Sequence, residues 1–545
     1  MRYSVNPKQR PLFDPDIAGY SEVALRRLRE DWPGLFRECI LELMPVDLIE
    51  DRFHEYMGRP TKELYSMCGL VFLMEFRDWT TEEAADMYMF DQRVHFALNR
   101  GHDQLAMTTR TIERYRALFR EKECAAAVMD RVTRRLVELL GISVERQRLD
   151  STHVLSNMAL FGRTRLMMAV VRRFLTQVRR HDPECFAEIP ESLRLRYEKK
   201  NWEFATGGQC RIERQQVAED MLLLIGRFET IRHIMNRTSF KDLVRVFDEQ
   251  CELVGDKVTV RDKTRSSVMQ NPSDPDATYD GYKGAGYQVQ VSETCGAEND
   301  VQLVVAAIPQ SACEQDHNAM GEVLDSLEQS GHSPKTILAD CGYGSDQNVQ
   351  KCAERNVELI APVNKGGGAD RLALKDFQFA ADHRVLRCPA GRVPVYSRYR
   401  PEQEQGRAAF EPEGCSNCVH LSRCPVFRHH QKFCIKYSAK ELRLAERRTR
   451  FAEPDCRKEY AMRSGIEGTF SRAKAVTGLG RLRVRGMPAV SMALFLKLAG
   501  LNILRALGGG RLHRRLSESM SEQVAHRQFR FVVSSILDPG ALLAA

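Results

Sequence analysis

The feature that most constrains this chain is a change of hydrophobic period near residue 140. Upstream of it, apolar residues recur at helical spacing almost without a break. Thr61 to Trp79 sets Leu64, Met67, Leu70, Val71 and Met74 in an i, i+3, i+4, i+7 stripe. Thr80 and Glu83 have capping-box spacing ahead of a second helix, and a third begins near Thr108, before Ile112, Tyr115 and Leu118. Downstream the pattern turns to strands. Ser143 to Val154 reads as one, with Val144 and Leu149 apolar and Asp150 inside it. Tyr287 to Ser292, Val301 to Ile308, Thr336 to Ala339 and Val357 to Pro362 follow, with helices at His317 to Ser330 and Ser345 to Arg355. Such alternation predicts an α/β chain: a mixed sheet with helices on its faces, joined to an all-helical N-terminal domain.

Two stretches break the alternation and read as insertions, one helical and rich in arginine and lysine, the other polar, irregular and cysteine-bearing. The expected division is a helical N-terminal domain, 1–140; core strands and helices, 141–157 and 255–363; a helical insertion, 158–254; a Cys-rich insertion, 364–450; a functional helix and C-terminal helices of the core, 451–510; and a basic tail, 511–545. In the N-terminal domain, short helices carrying Arg93, Arg100, Arg110, Arg114 and Arg116 read either as a helix-turn-helix DNA reader or as a plain helical bundle with surface arginines.

Length sets the scale, because 545 residues exceed what one core supports. The surplus of cations, 81 against 73 acids, fits a polyanionic partner. Met1 to Arg10 lacks the apolar core of a signal peptide, and no apolar run reaches about 18 uninterrupted residues. The most membrane-like stretch, Met487 to Leu507, is broken by Lys497, Asn502 and Arg505 and reads as a buried helix. The expectation is a cytoplasmic protein without a membrane span, and most of its 16 cysteines should be reduced.

Three carboxylates stand where rigid elements would hold them: Asp150 in the first strand, Asp340 at a strand's carboxyl end before the turn Cys341-Gly-Tyr-Gly, and Glu467 on a late helix. The separations, 340 − 150 = 190 and 467 − 340 = 127 residues, are no obstacle if the insertions fold apart. Converging carboxylates supply the hard oxygen ligands that Mg²⁺ takes, and two such ions about 3.5 to 4 Å apart can serve an in-line phosphoryl displacement. Asp274 and Asp276, in Asn271-Pro-Ser-Asp-Pro-Asp, are alternatives ranked below Asp340, because two prolines make that segment a turn. Lys283-Gly-Ala-Gly-Tyr is not a phosphate loop, since no helix follows it.

Around Glu467 the sequence runs Tyr460-x2-Arg463-x3-Glu467-x6-Lys474, offsets that on one helix would align all four along a face. This spacing resembles the Y-R-E-K signature of bacterial insertion-sequence transposases of the DDE class. The resemblance extends to Asp150, to Asp340 before Gly342-Tyr-Gly and to Gly58-Arg-Pro60, and spans about residues 40 to 510. It implies an RNase H-like catalytic core with Asp150, Asp340 and Glu467 holding two Mg²⁺ (or Mn²⁺) ions. It further implies cleavage of double-stranded DNA at the element's ends, attack of the freed 3′ hydroxyl on target DNA, and a homodimer in the DNA complex. Tyr460, Arg463 and Lys474 would grip the cleaved end, and Arg472, Arg481, Arg483 and Arg485 would extend the basic surface. The rival readings are an RNase H-like nuclease without strand transfer and a catalytically silent DNA-binding repressor; the three intact acids argue against the second.

Cys415-x2-Cys418-x5-Cys424, preceded by Cys388-Pro-Ala-Gly, supplies four thiols to a segment that reads as short of core-forming residues. Four thiolates can hold one tetrahedral structural Zn²⁺ in place of a core, with His420 or Cys434 as replacement ligands, against a reading of reduced thiols without metal.

Overall fold

The computed structural model describes residues 1–9, 19–100, 106–198, 208–255, 257–363 and 371–508. The expected basic tail, 511–545, lies outside the described residues, as does 364–370 at the start of the Cys-rich insertion.

At the centre is a mixed sheet whose main strands are β1 (Arg146–Val154), β2 (Gly284–Thr294), β3 (Val304–Ser311), β4 (Thr336–Ala339) and β5 (Glu358–Ile360). Their order is β3-β2-β1-β4-β5, and a short strand, Thr278–Asp280, pairs with the start of β2. β2 runs antiparallel to both of its neighbours, β3 and β1, whereas β4 and β5 run parallel to β1. Parallel pairing needs crossovers, and the helices Met320–Gln329 and Asp346–Glu354 supply them. They cover one face, packing Val323, Leu324 and Leu327 against Leu149, Ile337 and Ala339. The other face presents Val154, Tyr287, Val289 and Val291 to the long helix Met487–Gly508 and to the N-terminal helices, in one continuous apolar core. Because both faces are covered, β2 is buried along nearly its whole length.

Leu64–Phe76 is not the one-faced amphipathic helix that its spacing predicts. Every residue in it except Tyr65 is buried, because Thr81–Phe90, Thr109–Glu121 and Met487–Gly508 surround it. Its neighbour begins with the expected capping box, Thr80 and Glu83 bonding each other's backbone N–H. Met487–Gly508 is long and apolar enough to cross a membrane by length and composition, yet 67% of its apolar window is buried inside the fold. The three residues that interrupt its apolar run each meet a buried polar group. Lys497, 1% exposed, donates to Asp78 at 2.8 Å and to the Glu75 carbonyl at 3.0 Å. Asn502 bonds both backbone groups of Val304, at 2.8 and 2.7 Å. Arg505 pairs with Glu293, which is itself fully buried.

The helical insertion has its own core, in which Val170, Phe174, Phe228, Phe240 and Leu243 meet. The Cys-rich insertion corrects its reading as irregular and short of core. Tyr396–Arg400, Gln405–Phe410, Phe427–His429 and Lys432–Ser438 form a four-stranded antiparallel sheet. One face of that sheet joins Phe377, Val385 and Leu442 in a small core through Phe410, Ile435 and Tyr437. The outer face is charged, so these short strands alternate polar and apolar residues instead of running apolar throughout.

Candidate active site

The parallel register of β1 and β4 sets Leu149 opposite Ala339, so Asp150 and Asp340, the next residue on each strand, emerge side by side at the carboxyl edge of β4. Asp150 accepts a hydrogen bond from the Ser151 N–H at 2.8 Å, and Asp340 accepts one from the Gly342 N–H, also at 2.8 Å. Burial pushes the Asp150 carboxyl above the usual carboxylate range. The charges of Asp340 and Asp316 act the same way, while Arg463 and the Ser151 N–H pull it down without reversing the shift. The turn after Asp340 is fixed by Gly344, where an added Cβ would lie 2.6 Å from the Pro362 carbonyl. Tyr343 between them is fully buried and donates to Gln290. Burial raises its phenol well above the usual value, and the charges of Asp316, Asp150 and Asp340 all add to the rise.

Asp316 has no sequence signal of its own, standing in a short 3₁₀ turn and accepting from the Gln290 amide at 3.0 Å. Only the pairing of β2 with β3, and the helix that follows Asp316, bring it to the site.

The Y-R-E-K residues do not lie on one helix, contrary to the single face their offsets predict. Tyr460 ends the helix Pro454–Ala461, Arg463 sits in a 3₁₀ turn, Met462–Ser464, and Glu467 and Lys474 belong to the next helix, Gly465–Thr477. Tyr460 and Arg463 lie near the acids. Arg463 pairs with Asp150 at 3.2 Å. Burial works to lower its guanidinium pKa, but Asp150, the Tyr460 hydroxyl and Asp340 outweigh burial and raise it. Tyr460 is raised by burial first and then by the nearby Asp340 and Cys341.

Glu467 stands on the exposed side of the first turn of its helix, and among the described residues its carboxylate makes no hydrogen bond or ion pair. Lys474, seven residues on, shares that exposed side. The helix itself is locked to the sheet. Arg148 donates to the Met462 carbonyl at 2.9 Å and pairs with Glu293 at 2.6 Å, and Thr469 donates to the same Glu293 at 2.7 Å. Gly465 has to be small, since an added Cβ would come within 2.0 Å of the Arg148 guanidinium.

A second cationic group lies beside the acids and was not singled out by sequence. Lys283, in the turn between Thr278–Asp280 and β2, reaches the Ser151 hydroxyl at 3.2 Å. Partial burial and then Lys283 hold the Lys474 ammonium below its ordinary value, and both lysines bear on His153, which burial already lowers. Lys283 is thus a site neighbour without being a phosphate loop, since a strand and not a helix follows it.

Other expected residues fall farther out. Arg472 and Arg481 are exposed, and Arg481 lines a cleft with Arg483, Arg116, Asp78 and Glu82. Arg485 donates to the Asn157 carbonyl. The alternative acids are structural: Asp274 is fully buried against the Tyr287 hydroxyl and the Gly486 N–H, and Asp276 accepts from the Met487 N–H at 2.9 Å. Of the N-terminal arginines, Arg116 is buried between Glu75 and Glu113, and Arg93 is paired with Asp91.

The thiols of Cys388, Cys415, Cys418 and Cys424 line one small cavity in the Cys-rich insertion, together with His420. Burial raises the Cys415 and Cys424 pKa values, and charge on the neighbouring thiols adds to both. Cys434 instead faces the opposite side of the sheet. Among the described residues no three His, Cys, Asp or Glu side chains stand grouped so that they could hold a metal ion.

Residues 387–507 match the family model of the transposase DDE domain. No curated protein matches the chain. Among solved structures, the piggyBac transposase in a synaptic complex with hairpin DNA is matched at 10% identity over 96% of this chain and 82% of that chain, with a TM-score of 0.30, too loose a superposition to carry an argument. The family match takes in Tyr460, Arg463, Glu467 and Lys474 with most of the Cys-rich insertion, and stops short of Asp150 and Asp340. It is to a DDE transposase that this part of the chain is similar.

Proposed function

We propose that the chain is a transposase that binds the ends of an insertion sequence, cuts the DNA there and joins the freed 3′ ends to target DNA. The observation that carries this reading is the meeting of Asp150 and Asp340 with Arg463 and Tyr460, the latter two inside the segment that matches the transposase DDE domain. The sheet order, with Asp150 on the central strand and Asp340 on its parallel neighbour, supports reading the core as RNase H-like.

The donor set fits Mg²⁺ or Mn²⁺, which take carboxylate oxygens and keep waters and substrate phosphates for the remaining positions, so no closed protein shell is required. When bound, such ions activate the attacking oxygen and stabilise the leaving one. The protein's own share is to hold two acids on adjacent strands, to seat the Arg463 guanidinium beside the scissile phosphate, and to offer the Tyr460 ring to an unpaired base. Glu467 is the third acid of this reading, brought in from the exposed helix turn, and Lys474 and Lys283 receive the DNA backbone beside it. Asp316 is the competing third acid.

The four thiols of the insertion would hold one structural Zn²⁺, a reading supported by their lining a single cavity from the turn at Cys388 and the segment from Cys415 to Cys424. A homodimer on paired DNA ends completes the reading. The test is cleavage of an end-bearing duplex with Mg²⁺, comparing wild type with Asp340→Asn and Arg463→Ala. Metal-dependent cutting that survives Asp340→Asn would refute it.

A further inference from the structure

The sheet of the Cys-rich insertion has two unlike faces. One closes the small core. The other carries Tyr396, Arg398 and Arg400 at alternate, exposed positions of its first strand, with Arg407, Lys432 and Lys436 on the strands beside it. Together they line a groove of about 610 Å³ that, among the described residues, contains five Arg or Lys side chains and two histidines, and no Asp or Glu.

The strand register sharpens this. Arg398 pairs directly opposite Arg407, and Arg407 directly opposite Lys436, so three cations stand in a row across three adjacent strands. Like charges directly opposite one another destabilise a sheet. Elsewhere in the molecule arginines meet acids, as where Arg443 meets Asp346 at 2.7 Å and Arg131 meets Asp47 at 2.7 Å. Here, among the described residues, no carboxylate pairs with any of the three. Arg407 reaches only His429 Nδ1 at 3.2 Å and Cys434 Sγ at 3.5 Å, and Lys436 lies 5.8 Å from the Phe427 ring centroid.

We infer that this face is a second DNA-binding surface, taking the sugar-phosphate backbone of double-stranded DNA apart from the carboxylate site. Strands about 4.8 Å apart spread the three cations over roughly 10 Å, with Arg400 and Lys432 farther along. That extent suits a repeating polyanion more than a single phosphate. Arginine forks add bidentate phosphate contacts. The choice of duplex DNA as the polyanion rests on the transposase reading.

The test uses the full chain with Arg398→Gln, Arg407→Gln and Lys436→Gln combined, and measures binding to a labelled random-sequence duplex by fluorescence anisotropy between about 50 and about 200 mM salt. The slope of log affinity against log salt should fall by about 2 to 3, with the melting temperature unchanged or higher because the repulsion is relieved. A control, Lys241→Gln, Lys257→Gln and Lys263→Gln, removes the same charge from exposed positions elsewhere and should change the slope by less than about one. An unchanged slope in the first variant, or an equal loss in the control, overturns the proposal. So does a slope that depends on these residues only with single-stranded RNA. Metal-dependent cleavage, measured in parallel on wild type, keeps the two readings apart: its absence counts against the transposase reading alone, and its presence beside an unchanged slope counts against this surface alone.

Discussion

Arg463 donates a hydrogen bond to the carboxylate of Asp150 at 3.2 Å across 313 residues of sequence, both side chains largely buried. This pair ties the segment that matches the transposase DDE domain to the first strand of the sheet, which that match does not reach. Arg463 is also the only Y-R-E-K residue bonded to one of the proposed catalytic acids among the described residues. Its removal should weaken binding of an end-bearing duplex and lower the salt slope by about one unit. Lys474→Ala should do the same without touching the acids. Salt titrations of the two variants beside wild type decide it, and slopes equal to wild type would make both residues merely structural.

Asp340→Asn should reduce metal-dependent cleavage about a thousandfold or more, since a metal-bound transition state is worth several kcal/mol at about 1.4 kcal/mol per tenfold. Duplex affinity should hardly change. Glu467→Gln and Asp316→Asn, assayed side by side, identify the third acid: the transposase reading expects the larger loss from Glu467→Gln. A larger loss from Asp316→Asn would move the third position to the acid that already neighbours Asp150.

Asp150 gives a pH-dependent outcome. Its folded pKa is raised, by burial and by Asp340 and Asp316, so the neutral form is favoured in the native state. Its contribution to stability is therefore fully present below the unfolded carboxylate value and is lost as pH rises through the folded value. Asp150→Asn should melt higher than wild type at neutral pH, by a margin that shrinks as pH falls toward 4. Thermal melts over this range would show it, and a margin that grows on acidification would contradict the assigned direction.

Lys497→Met should lower stability by about 3 kcal/mol, because it leaves the carbonyls of Glu75 and Thr477 and the Asp78 carboxylate without their shared donor. At about 2 to 4 °C per kcal/mol that is a fall of roughly 6 to 12 °C in the melting transition of the main core. A loss below about 1 kcal/mol would mean that water replaces the ammonium.

Purified protein should carry close to one equivalent of zinc, and Cys418→Ser should lose most of it. Chelation should destabilise the Cys-rich insertion while leaving the melting of the central sheet in place. Metal analysis with and without chelator measures this; zinc well below half an equivalent favours reduced thiols.

Much of the architecture was legible in the sequence because its signals are local. The period change near residue 140, the capping box at Thr80 and Glu83 and the turn after Asp340 all appear where expected, and the carboxyl-edge placement of Asp340 follows from the short strand before it. What was not legible depends on distant partners. Leu64–Phe76 looks amphipathic until the helix from Met487 covers its far side. Asp316 and Lys283 have ordinary local sequence and reach the site only through the pairings of β2. The Y-R-E-K spacing was visible but not the 3₁₀ turn at Met462–Ser464, whose backbone is held by Arg148 from the first strand.

The register that sets β1 beside β4 also has a temporal side. During synthesis at about 5 to 20 residues per second, the 336 − 146 = 190 residues from the start of one strand to the start of the other take roughly ten to forty seconds to emerge. For that interval the β4 edge of β1 awaits its parallel partner, although β2 emerges earlier and can pair the other edge, and the self-contained core of the helical insertion can already close behind it. An unpaired strand is a template for misassociation, and charges pointing out of it are a known protection. Arg146, Arg148 and Asp150, spaced two apart on one side of β1, put charge on that waiting strand, so the same side chains that sit near the site in the finished fold are of the kind that disfavours misassociation before it forms.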